Sequence, residues 1–134
     1  MTATEHALEL VHAAARAASD KLAESILAFD VSEQLVITDA FLLCSASNER
    51  QVKSIVDEIE DKLREIGAKP VRREGERDGR WVLLDYAEIV VHVQHVEERA
   101  FYALERLWRD CPAIDVRDAV GPVSAVSEPP AGRA

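Results

Sequence analysis

The sequence lacks several features that mark particular classes of protein. Among its 134 residues there are two cysteines, Cys44 and Cys111, which are too few and too far apart for a disulfide framework. No apolar run approaches the roughly 20 residues that a membrane-spanning helix requires. The first residues, Met1 to Glu5, have neither the basic segment nor the apolar stretch of a signal peptide. We therefore expect a cytoplasmic protein that binds no membrane.

The chain is also short of positive charge. Its 16 Lys and Arg residues stand against 25 Asp and Glu residues, which gives a formal net charge of −9. Proteins that bind nucleic acid through its phosphates normally present a net basic surface. Residues 69–80, in contrast, carry more basic than acidic side chains, and they are read either as a solvated loop or as a local RNA contact. The overall balance predicts no direct nucleic-acid specificity and favours a basic protein as the partner.

What is present is the composition of a globular domain, with 48% hydrophobic and 31% charged residues. A chain of this length can bury a core without a disulfide or a metal ion. From Pro112 onward the sequence contains four prolines among small residues and has no apolar periodicity. We predict one domain over residues 1–111, followed by a disordered C-terminal tail over residues 112–134.

Hydrophobic periodicity predicts three helices and five strands. The most regular element runs from Asn48 to Ile66, where Asn48 and Gln51 fit a capping box and Gly67 supplies a C-terminal stop. The remaining predicted elements are helices over residues 4–24 and 97–108 and strands over residues 26–31, 40–46, 71–74, 81–85 and 89–93. This order predicts an α/β (α+β) fold, in which helices pack on a mixed five-stranded sheet.

The sequence shows none of the common catalytic patterns. It has no glycine-rich phosphate loop, no histidine pair with zinc spacing and no nucleophile beside a base. Asp39, Asp85 and Glu88 flank strand ends, where a metal-dependent transferase would place carboxylates, but turn chemistry also explains Asp85 and Glu88. We expect a protein that is not an enzyme and uses no cofactor or metal. The alternative is a metal-dependent nucleotidyltransferase-like enzyme.

Aromatic residues make up 5% of the chain, and most of them fall between residues 81 and 108. Tryptophan and tyrosine are typical of the hot spots of protein interfaces. Phe101 and Trp108 are more simply interpreted as core residues. Trp81 follows a polar loop, so a core role and an interface role are equally compatible with its position. The pattern favours a protein-binding surface near Trp81.

Several stretches of the chain resemble the ribosomal silencing factor family, also called the Iojap family. Over roughly residues 5–110 the sequence matches the family patterns W-x-x-x-D, G-[DE]-V-V-V-H, R-x-x-Y-x-L-E-x-L-W and N-x-R-Q-V. The matching segments are Trp81–Val93, Arg99–Trp108, Asn48–Val52 and the pair Glu74-Gly75. The chain departs from the family at Ala40, where a tyrosine is usual, and at Ala46 and Ala87, where glycine is usual.

The resemblance implies a nucleotidyltransferase-like fold without the catalytic signature of those enzymes. It implies a homodimeric translational repressor that binds the large ribosomal subunit through its fourteenth ribosomal protein. Bound there, it would block joining with the small subunit under nutrient limitation or in stationary phase. The residues expected to bind this partner are Trp81, Leu83, Leu84, Asp85, Tyr86, Glu88 and His92. The family-motif residues expected to be structural or interfacial on the last helix are Arg99, Tyr102, Leu104, Glu105 and Trp108.

Overall fold

The computed structural model describes residues 3–35, 37–75, 80–97 and 111–119. The helices and strands within these ranges are α1 (Glu5–Asp20), β1 (Ser25–Asp30), β2 (Ala40–Ala46), α2 (Glu49–Glu65), β3 (Arg72–Glu74), β4 (Trp81–Asp85) and β5 (Ile89–His95). They confirm the predicted order of the first seven elements, and β2 and β4 have the predicted bounds. The predicted last helix lies outside the described residues from residue 98 onward.

The strands form one mixed sheet in the order β1-β2-β5-β4-β3. The β2 and β5 strands pair in parallel, whereas the other pairs are antiparallel. The central position of β5 agrees with its apolar run, since a central strand is covered on both faces. In the register, Leu43, His92 and Leu83 lie side by side across β2, β5 and β4. Side chains alternate between the two faces along each strand, so each such row belongs to one face of the sheet.

One face of the sheet packs against α1 and α2, and we call it the helical face. The α2 helix presents an apolar stripe to this face because its hydrophobic residues recur at helical spacing. Small alanines on the buried side of α1 let that helix pack closely on the sheet. The largest fully buried side chains of this core include Leu10, Ile26, Leu42, Ile55, Ile59, Leu63, Leu84 and Ile89.

The capping residues predicted for α2 are present, but only one of the two hydrogen bonds of a capping box is formed. The side chain of Asn48 accepts a hydrogen bond from the backbone N–H of Gln51 at 2.8 Å, as predicted. The side chain of Gln51 does not accept a hydrogen bond from the backbone N–H of Asn48. Its amide instead donates to the carbonyls of Lys21 and Leu22, at 3.2 and 2.8 Å. Gln51 therefore ties the start of α2 to the end of α1.

Residues 111–119, which we call the C-terminal segment, pack on β1 and α1. The backbone N–H of Asp30 donates to the carbonyl of Pro112 at 2.8 Å, and Ile114 donates to Ala28 at 2.9 Å. The segment also adds three buried side chains, Cys111, Val116 and Ala119. The domain boundary predicted at residue 111 is therefore too early, because these residues bond to β1 and fill part of the core. Residues 120–134 of the predicted tail lie outside the described residues.

Candidate partner-binding surface

The face of the sheet opposite the helices, which we call the second face, carries a different set of side chains. Along β4 the burial alternates, with Trp81, Leu83 and Asp85 partly exposed and the residues between them buried. The register places Trp81 beside Gln94, and Leu83 beside His92 of β5. We call Trp81, Leu83 and Asp85 the Trp81 surface. Three of the predicted partner-binding residues thus lie on one face of one strand.

A row of three rings supports the Trp81 surface. The indole Nε1–H of Trp81 donates to Nδ1 of His92 at 3.1 Å, and the two ring centroids are 6.1 Å apart. On its other side His92 meets Phe41 of β2 edge to face, at 5.3 Å between centroids. His92 is only 7% exposed, and burial lowers its pKa to about 4. The imidazole is therefore neutral near pH 7, so its Nδ1 can accept a hydrogen bond from the indole N–H.

The second face also buries polar atoms. Gln94 is completely buried, and neither its amide nitrogen nor its amide oxygen has a hydrogen-bond partner among the described residues. The same holds for Nε2 of His92. An unpaired buried polar group costs about 1–3 kcal/mol of stability. Among the described residues the second face thus buries unpaired polar atoms of two side chains, and the helical face buries one at the Tyr86 hydroxyl.

Asp85 is held by the turn that follows β4. Its Oδ1 accepts a hydrogen bond from the backbone N–H of Ala87 at 2.8 Å, which confirms the turn interpretation of this carboxylate. Its Oδ2 lies 3.7 Å from a guanidinium nitrogen of Arg72, a loose ion pair in which the Asp85 side chain is 24% exposed. Ala87 has a φ of +70°, a left-handed conformation that strains any residue with a Cβ. A glycine at this position would avoid that strain.

Glu88 interacts with the first turn of α1. Its Oε1 lies 2.6 Å from Nδ1 of His6, and its Oε2 lies 3.5 Å from the hydroxyl of Thr4. Asp39 joins the same contact, because its Oδ2 accepts the backbone N–H of Thr4 at 3.0 Å. The carboxylates considered for a metal site therefore hold the start of α1, in the case of Asp39 and Glu88, or a turn, in the case of Asp85.

Leu84 and Tyr86 correct the predicted set of contact residues. Leu84 is fully buried and Tyr86 is 6% exposed, and both belong to the core of the helical face. Burial, together with the nearby Glu60, raises the pKa of the Tyr86 hydroxyl. The alternation of β4 directs Leu84 away from Leu83, so Leu84 and Tyr86 offer little area to a partner in this structure and are left out of the contact surface proposed below. They support the Trp81 surface from the opposite side of the sheet.

Gly75 explains why the Glu74-Gly75 pair precedes β4. Its φ is +83°, and a Cβ built on it would lie 1.9 Å from the carbonyl oxygen of Trp81. Only glycine lets the chain pass this close to the backbone of β4. Phe41 and Gln94, which also belong to the second face, were not among the residues predicted from the sequence. The alternation of side chains along β2 and β5 was the signal that could have placed them there.

The described residues contain neither a candidate metal site nor a candidate membrane span. They contain no group of three or more His, Cys, Asp or Glu side chains placed to hold a metal ion. None of the helices described has the length and apolar character needed to cross a membrane. The motif residues predicted for the last helix lie outside the described residues: Arg99, Tyr102, Leu104, Glu105 and Trp108.

Comparisons with solved structures agree with this fold. An X-ray crystal structure of a protein from Chromobacterium violaceum superimposes with a TM-score of 0.72 at 32% identity, covering 75% of this chain and 83% of that one. A crystal structure from Bacillus halodurans superimposes with a TM-score of 0.70 at 39% identity, covering 80% and 97%.

Sequence comparisons give the family. The family model described as "Ribosomal silencing factor during starvation" matches residues 4–133. Ribosomal silencing factor RsfS of Bacillus subtilis is 44% identical over 103 residues, which cover 77% of this chain and 87% of the relative. The protein of the same name from Halalkalibacterium halodurans is 39% identical over 112 residues, covering 84% and 96%. On these matches and on its fold, the chain belongs to the ribosomal silencing factor family.

Proposed function

We propose that this protein represses translation by binding the large ribosomal subunit through its fourteenth ribosomal protein, which blocks joining with the small subunit. Its membership in a family of ribosomal silencing factors supports a ribosome-associated regulator of translation rather than an enzyme. The observation that carries the finer proposal is the Trp81 surface. An indole, an aliphatic side chain and a carboxylate lie side by side on β4 and are partly exposed.

The chemistry of the Trp81 surface suits a basic protein partner. Trp81 and Leu83 offer apolar area of the kind that dominates binding hot spots. Asp85 offers a carboxylate whose present ion pair with Arg72 is loose at 3.7 Å, so a partner's lysine or arginine can replace it. The formal net charge of −9 speeds the approach to a basic ribosomal protein, while packing at the surface sets the residence time.

Repression then needs no chemical step. A protein docked on the face of the large subunit that meets the small subunit excludes the small subunit by its volume alone. We further propose that it acts in the cytoplasm as a homodimer when nutrients are scarce, without a cofactor and without direct nucleic-acid specificity. Glu88 contributes indirectly, by holding the start of α1 through its contacts with His6 and Thr4.

Sedimentation of the purified protein with separated ribosomal subunits tests the proposal, together with an assay of subunit joining. We expect binding to large subunits and a loss of joined ribosomes. Trp81→Ala and Asp85→Asn should each weaken binding about tenfold or more, since each removes a central contact. Asp57→Asn is the matched control, because it removes one negative charge from the exposed side of α2.

Three results would overturn the proposal. Binding to small subunits rather than large ones would contradict the assigned partner. Wild-type binding by both folded Trp81 and Asp85 variants would contradict the assigned surface. An equal loss of binding in Asp57→Asn and Asp85→Asn would show that only net charge matters, and not the position of Asp85.

A further inference from the structure

The Trp81 indole is held by a hydrogen bond as well as by packing. Its Nε1–H donates to Nδ1 of His92 on the neighbouring strand at 3.1 Å. This bond links a partly exposed side chain to one that is almost entirely buried. The orientation of the exposed ring therefore depends on a residue that lies beneath the surface.

His92 is itself held in place. Phe41 packs against it edge to face on the side of β2, at 5.3 Å between ring centroids, and Trp81 lies on the side of β4. With 7% of its surface exposed, His92 has little area to offer to a partner. Because Nδ1 accepts a hydrogen bond from the indole N–H, the neutral ring must carry its own proton on Nε2.

We propose that His92 is a positioning residue, which fixes the indole of Trp81 in the orientation that docks on the ribosomal partner. This inference rests on the proposed function of the Trp81 surface. It replaces the expectation that His92 contacts the partner directly. A side chain already held in its bound orientation loses less conformational entropy on association, so the hydrogen bond increases affinity without adding a contact.

Gln94 provides an internal comparison on the same face. It lies directly opposite Trp81 in the register, and its side chain is fully buried. Its amide oxygen is a competent acceptor, yet it has no hydrogen-bond partner among the described residues. The indole bonds to the diagonal neighbour His92 rather than to the residue opposite. Gln94 is thus a polar neighbour of Trp81 that takes no part in the proposed positioning.

Nuclear magnetic resonance of the full chain tests the hydrogen bond without any ribosome. The ring nitrogens of His92 in the wild-type protein should report the Nε2–H tautomer at neutral pH. In a Trp108→Phe background Trp81 is the only tryptophan, so one indole N–H signal remains. That signal should be protected from solvent exchange, and Gln94→Leu should leave the protection unchanged. His92→Phe keeps a ring against Phe41 but offers no acceptor, and should reduce the protection about tenfold or more.

Two outcomes of this experiment contradict the inference. One is an Nδ1–H tautomer of His92 in the wild-type protein, a measurement that needs no substitution. The other is unchanged indole protection in folded His92→Phe. If His92→Phe fails to fold, His92→Gln replaces it. The side-chain oxygen of the new glutamine can accept a hydrogen bond from the indole N–H, so protection should be kept at least in part. Complete loss of protection in folded His92→Gln would contradict the inference.

Sedimentation with large subunits tests the consequence. His92→Phe should weaken binding about five- to tenfold, His92→Gln should recover part of that loss, and Gln94→Leu should bind as the wild type does. If Trp81→Ala also binds as the wild type does, the proposed surface is wrong, whatever the resonance data show. If Trp81→Ala weakens binding but His92→Phe frees the indole without weakening it, the surface stands and the positioning role is wrong.

Discussion

Leu83 and Leu84 are adjacent residues of β4, yet their side chains lie on opposite faces of the sheet. Leu84 is fully buried in the core beneath α1 and α2, whereas Leu83 is partly exposed between Trp81 and Asp85. The same residue type therefore serves packing at one position and is available for contact at the next. The two-residue period of a strand lets one short segment serve both purposes.

The two faces also differ in the kind of side chain that they bury near the centre of the sheet. The core of the helical face consists mainly of aliphatic side chains, and the Tyr86 hydroxyl in it has no hydrogen-bond partner among the described residues. The second face buries Gln94 and His92, each with polar atoms that have no partner among the described residues. A face kept for stability alone would gain from replacing these groups with apolar ones. For His92, the role proposed at the second face supplies a reason to keep the polar group.

The largest effect that separates the faces should come from truncating the two leucines. Leu84→Ala should lower the free energy of unfolding by about 2–5 kcal/mol, because it leaves a cavity in a closely packed core. Leu83→Ala should lower it by about 1 kcal/mol, because the side chain is already partly hydrated. Chemical denaturation of the two variants measures both values. Equal destabilisation would contradict the assignment of the two side chains to different environments.

The same pair should show the reverse order in binding. Under conditions where both variants are folded, Leu83→Ala should weaken sedimentation with large subunits, whereas Leu84→Ala should leave it near the wild-type value. Weaker binding in folded Leu84→Ala than in Leu83→Ala would contradict the proposal that the partner contacts the second face.

Acid should destabilise the second face through His92. Its pKa falls from an ordinary value of 6.5 to about 4 on burial, so the unfolded chain binds a proton that the folded chain does not. The stabilisation is complete above about pH 6.5 and is lost as the pH falls toward 4, a change of about 3 kcal/mol. When the free energy of unfolding is plotted against pH across this range, the wild-type protein and His92→Phe should differ in slope by the amount that corresponds to the binding of about one proton. Parallel curves would mean that His92 titrates normally in the folded protein.

The smallest effect concerns the turn that joins β4 to β5. Ala87→Gly should raise the free energy of unfolding by about 0.5–1 kcal/mol, because glycine adopts the φ of +70° without strain. Thermal unfolding measures the change. Lys69→Gly, in an exposed position before β3 that has no positive φ, is the control and should show no stabilisation. A destabilised Ala87→Gly would mean that chain entropy outweighs the strain.

Where the sequence predicted the fold well, local periodicity carried the information. The apolar stripe of α2, with Asn48 before it and Gly67 after it, indicates the helix without reference to the rest of the chain. The bounds of β4 are also predicted locally, because Trp81 follows a polar loop and Asp85 precedes a turn. Treating the motif around Trp81 as a single string, however, assigned Leu84 to the same surface as Leu83. Alternation along the strand would have separated them.

Other features depend on contacts between distant parts of the chain and have no local signal. The burial of His92 requires Phe41 on another strand, so its change from a contact residue to a positioning residue could not be read from the motif. The C-terminal segment uses main-chain groups to bond β1, and backbone hydrogen bonds leave no trace in hydrophobic periodicity. Pro112 and the prolines and small residues that follow in the sequence therefore predicted a tail over residues that, as far as 119, form a packed segment.

The contact between Pro112 and Asp30, with the Phe29–Ala113 bridge beside it, also protects the chain from unwanted association. A strand at the border of a sheet is a template for pairing with another molecule, and β1 is one such border. The C-terminal segment covers that template, while β3 at the other border is only three residues long and is charged throughout. Shortening the protein after residue 111 would therefore uncover β1 and favour aggregation before it impaired recognition of the ribosome.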